Sequence, residues 1–111
     1  MSKEMRVWWN PQVGAGATFY VPVMTVEQGK RVMDLLAYYD CFQYNHNIKP
    51  DYCNCGGLEV RDEETGEWEG WYYDTDVEYY DDVDEYIENK SDEAEALESF
   101  NKALRSQVHF D

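Results

Sequence analysis

Asp74, Asp76, Glu78, Tyr80, Asp82 and Glu85 carry the spacing of the oxygen ligands of a calcium-binding EF-hand loop. The match is partial, because the loop needs glycine at its sharp turn and this chain has Tyr79 there. Helical periodicity through Val77 to Ile87 would also point these carboxylates apart, so weak, nonspecific divalent binding is the most the pattern predicts. Cys41, His46, Cys53 and Cys55 hold the ligand types of a closed zinc site at a spacing unlike a usual finger. A free cysteine is commonly a small buried hydrophobe, and the expectation is ordinary thiols with no metal and no cofactor. Nucleophilic catalysis needs a thiol or hydroxyl beside a base, and the histidines are His46 and His109, the latter near the terminus. Nothing marks an oxyanion hole, paired acids such as Glu67 and Glu69 are too common here to imply acid and base roles, and Gly14-Ala15-Gly16 precedes a strand rather than a phosphate-cradling helix. The chain is expected not to be an enzyme, with a small metal-dependent enzyme as the remote alternative.

Charge points elsewhere. The formal net charge is -15, and residues 61–111 hold four Lys or Arg against eighteen Asp or Glu, whereas residues 1–60 hold five against six. Such a surface repels nucleic acid and anionic lipid and attracts basic surfaces. Many acidic faces only keep a protein in solution, but this uneven placement favours a binding face. Trp68, Trp71, Tyr72, Tyr73, Tyr79, Tyr80 and Tyr86 fall in the same stretch; about half are expected in the core, the rest as interface anchors. Base stacking is disfavoured because the carboxylates would repel phosphates. The predicted partner-binding residues are Asp74, Asp76, Glu78, Tyr79, Asp81, Asp82, Asp84, Glu85 and Glu88. The expected partner is a basic protein, with no direct nucleic acid and no membrane insertion.

These residues need a scaffold. At 111 residues, 43% hydrophobic and 16% aromatic, the chain fits one folded domain, residues 1–111. No apolar run is long enough to span a bilayer and the first residues lack a signal-peptide stretch, so a cytoplasmic protein with reduced cysteines is expected. Arg6–Trp9 and Thr18–Val23 read as a hairpin, with Pro22 confining the second strand to an edge. Thr25 and Gln28 form a capping box for a helix running to about Phe42, followed by a long ordered loop over Asn45–Gly57. Leu58–Arg61 and Glu67–Glu69 read as a second hairpin, with a bulge at Gly70 bringing Trp71 onto the face of Trp68. An acidic helix over Val77–Ile87 follows, then one after Ser91 with Leu97, Phe100 and Leu104 as its buried stripe. The predicted order is β-β-α-β-β-α-α, an α+β domain with a small antiparallel sheet.

Trp8-Trp9-Asn10-Pro11-Gln12, Phe19-Tyr20-Val21-Pro22-Val23, Leu36-Ala37-Tyr38-Tyr39-Asp40 and Asn47-Ile48-Lys49-Pro50-Asp51-Tyr52 resemble a family of short acidic proteins of tailed bacteriophages and prophages, some of them labelled superinfection exclusion. The resemblance spans residues 5–88 and carries no active site. It implies a phage-encoded binding protein in the host cytoplasm, a counter-defence or host-takeover inhibitor presenting carboxylates in place of DNA phosphates to a partner such as a nucleic-acid-binding defence or host enzyme. An acidic adaptor or superinfection-exclusion factor acting through protein contacts is the alternative.

Overall fold

Strand β1 (Met5–Asn10) sets the geometry of the molecule, because its alternating sequence sends Val7 and Trp9 into the interior and Arg6 and Trp8 to the opposite face. The structure, a computed structural model, describes residues 4–11, 17–46, 48 and 55–108. Strand β2 (Phe19–Val23) pairs antiparallel with β1, placing Val21 opposite Val7. On the other side β3 (Cys55–Arg61) pairs antiparallel with β1, Leu58 opposite Val7, and β4 (Trp68–Gly70) completes the order β2-β1-β3-β4. Pro22 therefore lies on an edge strand, where its missing N–H is tolerated.

Cys55, Gly56 and Gly57, expected in a loop, belong to β3. The glycines make room rather than turns: a Cβ at Gly56 would lie 2.2 Å from Cε3 of Trp9, and one at Gly57 would lie 2.8 Å from Nε1 of Trp8. The β3–β4 turn forms because Asp62 Oδ1 accepts the N–H groups of Glu64 and Thr65 at 2.8 and 3.0 Å, and Gly66 takes a φ of 75°. The predicted bulge at Gly70 is absent. Gly70 stays in register opposite Glu59 and Trp71 N–H donates to Leu58 O at 2.9 Å, so the pleat keeps its parity. Trp71 accordingly packs with Val7, Leu58 and Val60 while Trp68 lies on the other face against Arg6.

Helix α1 (Val26–Asn45) covers the inner face of the sheet. Thr25 caps it by accepting Gln28 N–H at 3.0 Å, and Gln28 returns the contact by accepting Met24 N–H at 2.7 Å. The helix passes close to β3 at Gly29, where a Cβ would meet Leu58 Cδ1 at 2.8 Å. It runs beyond Phe42 because the buried Asp40 and Cys41 hold that turn inward, and Trp9 Nε1 donates to Asp40 Oδ2 at 3.1 Å. Fully burying side chains such as Val7 and Leu58 contributes about 1.5–3 kcal/mol each.

The predicted helix over Val77–Ile87 is the main correction. Residues 73–80 instead form a two-stranded antiparallel ribbon, β5 (Tyr73–Asp74) and β6 (Tyr79–Tyr80), and helix α2 spans only Val83–Lys90. Thr75 closes the ribbon: its Oγ1 accepts the N–H groups of Val77 and Glu78 at 3.3 and 3.1 Å, and its own N–H donates to Glu78 O at 2.8 Å. Tyr73 and Tyr80 sit opposite each other and pack on Tyr86 at centroid distances of 5.1 and 5.9 Å, with Trp71 edge-on to Tyr86 at 5.2 Å. Val77, which completed the apparent helical stripe, is 88% exposed. Helix α2 starts after Asp82, whose Oδ1 accepts Glu85 N–H at 3.1 Å. Helix α3 (Ala94–Arg105) buries Leu97, and Tyr38 Oη donates to its Asn101 Oδ1 at 3.3 Å. Ser91 Oγ, between α2 and α3, donates to Glu27 Oε2 at 2.7 Å. The order is thus β-β-α-β-β-β-β-α-α, and the class is α+β as expected. Among the described residues no helix is long and apolar enough to cross a membrane.

Candidate functional site

The nine predicted binding residues divide between the ribbon and α2 instead of lining one helix. Strand alternation puts Tyr72, Asp74, Tyr79 and Asp81 on one side of the ribbon and Tyr73 and Tyr80 on the other, against the core. On the outward side the Tyr72 and Tyr79 rings stack at 6.4 Å with both residues exposed, and Asp74 lies directly opposite Tyr79. Asp76 is exposed in the turn, and Glu85 and Glu88 project from α2 into solvent.

Three of the nine also have structural partners. Glu78 accepts from Lys90 Nζ at 2.8 Å, Asp84 from Lys30 Nζ at 2.9 Å, and Asp82 caps α2. The Glu78 hydrogen bond raises the pKa of Lys90. Asp74, Tyr79 and Asp81 are exposed on the outward side of the ribbon and Asp76 in its turn, with Tyr72 as an aromatic member that helical spacing did not single out, whereas Glu85 and Glu88 are exposed on α2, Glu88 in a groove lined also by Glu95 and Glu98 of α3.

An EF-hand loop over Asp74–Glu85 is excluded by the same geometry, since a hydrogen-bonded ribbon and an N-cap occupy that stretch. Among the described residues no group of three or more His, Cys, Asp or Glu is arranged to hold a metal ion. Of the zinc candidates, Cys41 is buried in α1, and burial pushes its thiol pKa up. Cys55 is exposed at the start of β3, where its Sγ accepts from Asn10 Nδ2 at 3.6 Å. His46 stacks on Phe42 at 4.1 Å and its Nδ1 lies 2.9 Å from Phe42 O, which fixes Nδ1 as the protonated donor. Cys53 and His109 lie outside the described residues.

Beside the ribbon, the structure assembles a cleft of about 530 Å³ that sequence spacing could not reveal. Trp9 from β1, Lys30 and Asp34 from α1, Trp71 after β4, and Asp81, Asp82 and Asp84 around the start of α2 line it. Lys30 Nζ sits 2.9 Å from both Asp34 Oδ1 and Asp84 Oδ1. Burial pulls its pKa down, but the hydrogen bonds to Asp84 and Asp34 outweigh that and leave it raised. Asp34 Oδ2 is buried with no hydrogen-bond partner among the described residues.

A further cationic centre lies on the outer sheet face. The Arg6 guanidinium is held between the Tyr20 and Trp68 rings, 3.9 and 4.0 Å from their centroids, and its Nε donates to Glu59 Oε1 at 2.8 Å.

Fold and surface define a small acidic α+β protein with an aromatic and carboxylate ribbon. The family model of superinfection exclusion gene product 17 matches residues 4–92, and the chain belongs to that phage superinfection-exclusion family. The chain is similar to a superinfection exclusion protein of Salmonella phage P22, with 43% identity over a 104-residue alignment that covers 84% of this chain and 98% of that protein. The family match spans both sheets, α1 and α2, and ends before α3. No solved structure matches the chain.

Proposed function

We propose that this phage protein serves superinfection exclusion by binding, without catalysis, a basic surface on a protein partner of the kind that otherwise holds nucleic acid. The observation that carries this reading is the outward side of the ribbon, where the stacked Tyr72 and Tyr79 lie among Asp74, Asp76 and Asp81. Carboxylates steer encounter with a basic groove, and desolvated tyrosines anchor the complex once formed. The inner tyrosines and Trp71 give the ribbon a fixed base, so little conformational entropy is lost on docking. Presented this way, the carboxylates substitute for the phosphates of DNA.

The test uses the full chain as bait in a lysate of host cells, beside a variant with Asp74→Asn, Asp76→Asn, Asp81→Asn and Glu85→Gln. These changes keep near-identical shapes. The reading requires a partner that is retained by the wild type alone, is released by about 0.5 M sodium chloride, and is displaced by double-stranded DNA. Equal retention by both baits overturns the ribbon as the binding surface, and indifference to DNA overturns the mimicry.

A further inference from the structure

We infer that the apolar groove between α1 and α3 is the contact through which two copies of this chain associate. The inference is independent of the partner surface proposed for the ribbon. Helix α3 runs alongside α1, with the Arg31 guanidinium stacked on Phe100 at 4.6 Å and Tyr38 Oη donating to Asn101 Oδ1. Between them Leu35, Tyr38, Tyr39, Phe42, Leu104 and Gln107 line a groove of about 280 Å³. Leu35, Tyr39 and Phe42 follow one helical stripe, yet Leu35 is 47% and Tyr39 55% exposed. A contiguous apolar face left open to solvent marks an interaction site.

Charge selects the occupant. The chain holds 24 acids among its 111 residues, but none of the six groove residues is charged. The acids of α1 are engaged elsewhere: Glu27 accepts from Ser91, Asp34 pairs with Lys30 and Asp40 accepts from Trp9. Those of α3, Glu95 and Glu98, line the separate groove toward α2. Two chains of net charge -15 repel wherever their acidic surfaces meet, so a second copy can approach closely only on a face like this one. Helix α2 is tied to the first half of α1 through Lys30, whereas the groove lies along its second half, which keeps the acidic surfaces of the two copies apart. A basic partner, by contrast, finds no carboxylate there to pair with.

The area is sufficient for a weak dimer. Helices of 20 and 12 residues lying side by side present about 500 Å² per copy at 1.5 Å per residue and a width of about 10 Å each. Two copies then bury about 1,000 Å², the lower limit for a specific interface.

Sedimentation velocity of the full chain over a range of concentrations tests this. A monomer–dimer equilibrium with a Kd of about 10–100 μM is expected in about 0.5 M sodium chloride. It should weaken about tenfold in about 20 mM salt, where repulsion between the copies is unscreened. That sign is opposite to the one required of the ribbon's partner complex, so the two readings are scored separately. Leu35→Glu and Tyr39→Glu each place a charge in the shared contact and should weaken dimerisation at least about tenfold. Tyr39→Lys makes the chain less negative and should weaken it too, whereas association limited by charge alone would strengthen. Met24→Glu adds the same charge at a residue that is 82% exposed outside the groove, and should stay within about twofold of the wild type. Circular dichroism checks each fold, and if Leu35→Glu fails to fold, the two Tyr39 variants decide.

Tighter association of Tyr39→Lys, equal weakening by Met24→Glu, or weaker dimerisation of the ribbon variant places the contact elsewhere and overturns the inference. A full chain that stays monomeric to about 1 mM overturns it as well, whether the groove then proves to hold a lysate protein lost on Leu35→Glu or opens to self-association on deletion of residues 109–111.

Discussion

Lys30→Met tests whether one lysine holds α1 and α2 together across the cleft. Methionine keeps the apolar stem and removes the ammonium, so packing is largely preserved while Asp34 and Asp84 lose their shared donor. Asp84 is 71% exposed and will re-solvate at little cost, whereas the Asp34 side chain is only 13% exposed. Breaking a buried pair costs about 3–5 kcal/mol, and the open cleft reduces this to about 2–3 kcal/mol. For a chain of this length that is a fall in melting temperature of about 8–12 °C. The double variant Lys30→Met/Asp34→Asn no longer strands a charge and should recover to within about 1 kcal/mol of the wild type. Urea unfolding followed by circular dichroism and tryptophan fluorescence measures all three proteins.

The pH dependence has a definite sign. A lysine whose folded pKa is raised above the ordinary 10.5 contributes stability below that value and loses it as pH climbs through the folded pKa. The advantage of the wild type over Lys30→Met should therefore shrink above pH 10.5. A loss below about 0.5 kcal/mol at neutral pH, or a double variant worse than the single one, refutes the pair as a strut.

Gly56→Ala should cost about 2–4 kcal/mol, because its Cβ would lie 2.2 Å from a Trp9 ring that is itself tied to Asp40, while Gly70→Ala, with nothing within 4 Å, should stay within about 0.5 kcal/mol; parallel urea melts compare them. Moderate sodium chloride should raise the melting temperature of the wild type in magnesium- and calcium-free buffer, since screening relieves repulsion among the eighteen acids of residues 61–111 more than it weakens exposed pairs such as Glu78–Lys90. In a Cys53→Ser/Cys55→Ser variant, the buried Cys41, whose pKa is raised above its ordinary 9.0, should react with a thiol reagent only as fast as the protein opens, with rates tracking urea concentration.

Local signals were reliable where a short segment determines its own geometry. The Thr25–Gln28 cap, the alternation through Val7 and Trp9, the edge position of Pro22 and the α3 stripe, with Leu97 buried and Phe100 and Leu104 half-buried, all depend on neighbours in sequence. Residues 73–80 misled because Val77, Tyr80, Val83 and Ile87 mimic a helical stripe while the tyrosine pairs also suit a ribbon, and tertiary packing on Trp71 and Tyr86 decides between them. Two local cues did favour the ribbon and the later start of α2, namely Thr75 three residues before Glu78 and Asp82 three before Glu85. Gly56 and Gly57 looked like turn residues because their real constraint, the indoles of Trp9 and Trp8 across the sheet, is distant in sequence. The cleft draws on residues from Trp9 to Asp84, and no spacing rule connects them.

Superinfection itself gives the most direct test of the ribbon. Host cells expressing the wild-type chain, the ribbon variant with Asp74→Asn, Asp76→Asn, Asp81→Asn and Glu85→Gln, or a control with Asp92→Asn, Glu93→Gln, Glu95→Gln and Glu98→Gln are challenged with related phages, and plating efficiency is scored at matched protein levels. Each variant removes four charges, but the control changes lie just before and within the first turns of α3 and leave every ribbon residue unaltered. The predicted result is exclusion by the wild type and the control and full plating on cells carrying the ribbon variant. Undiminished exclusion by the ribbon variant, or equal loss in both variants, would contradict a dedicated binding surface and leave the acids as a device for solubility.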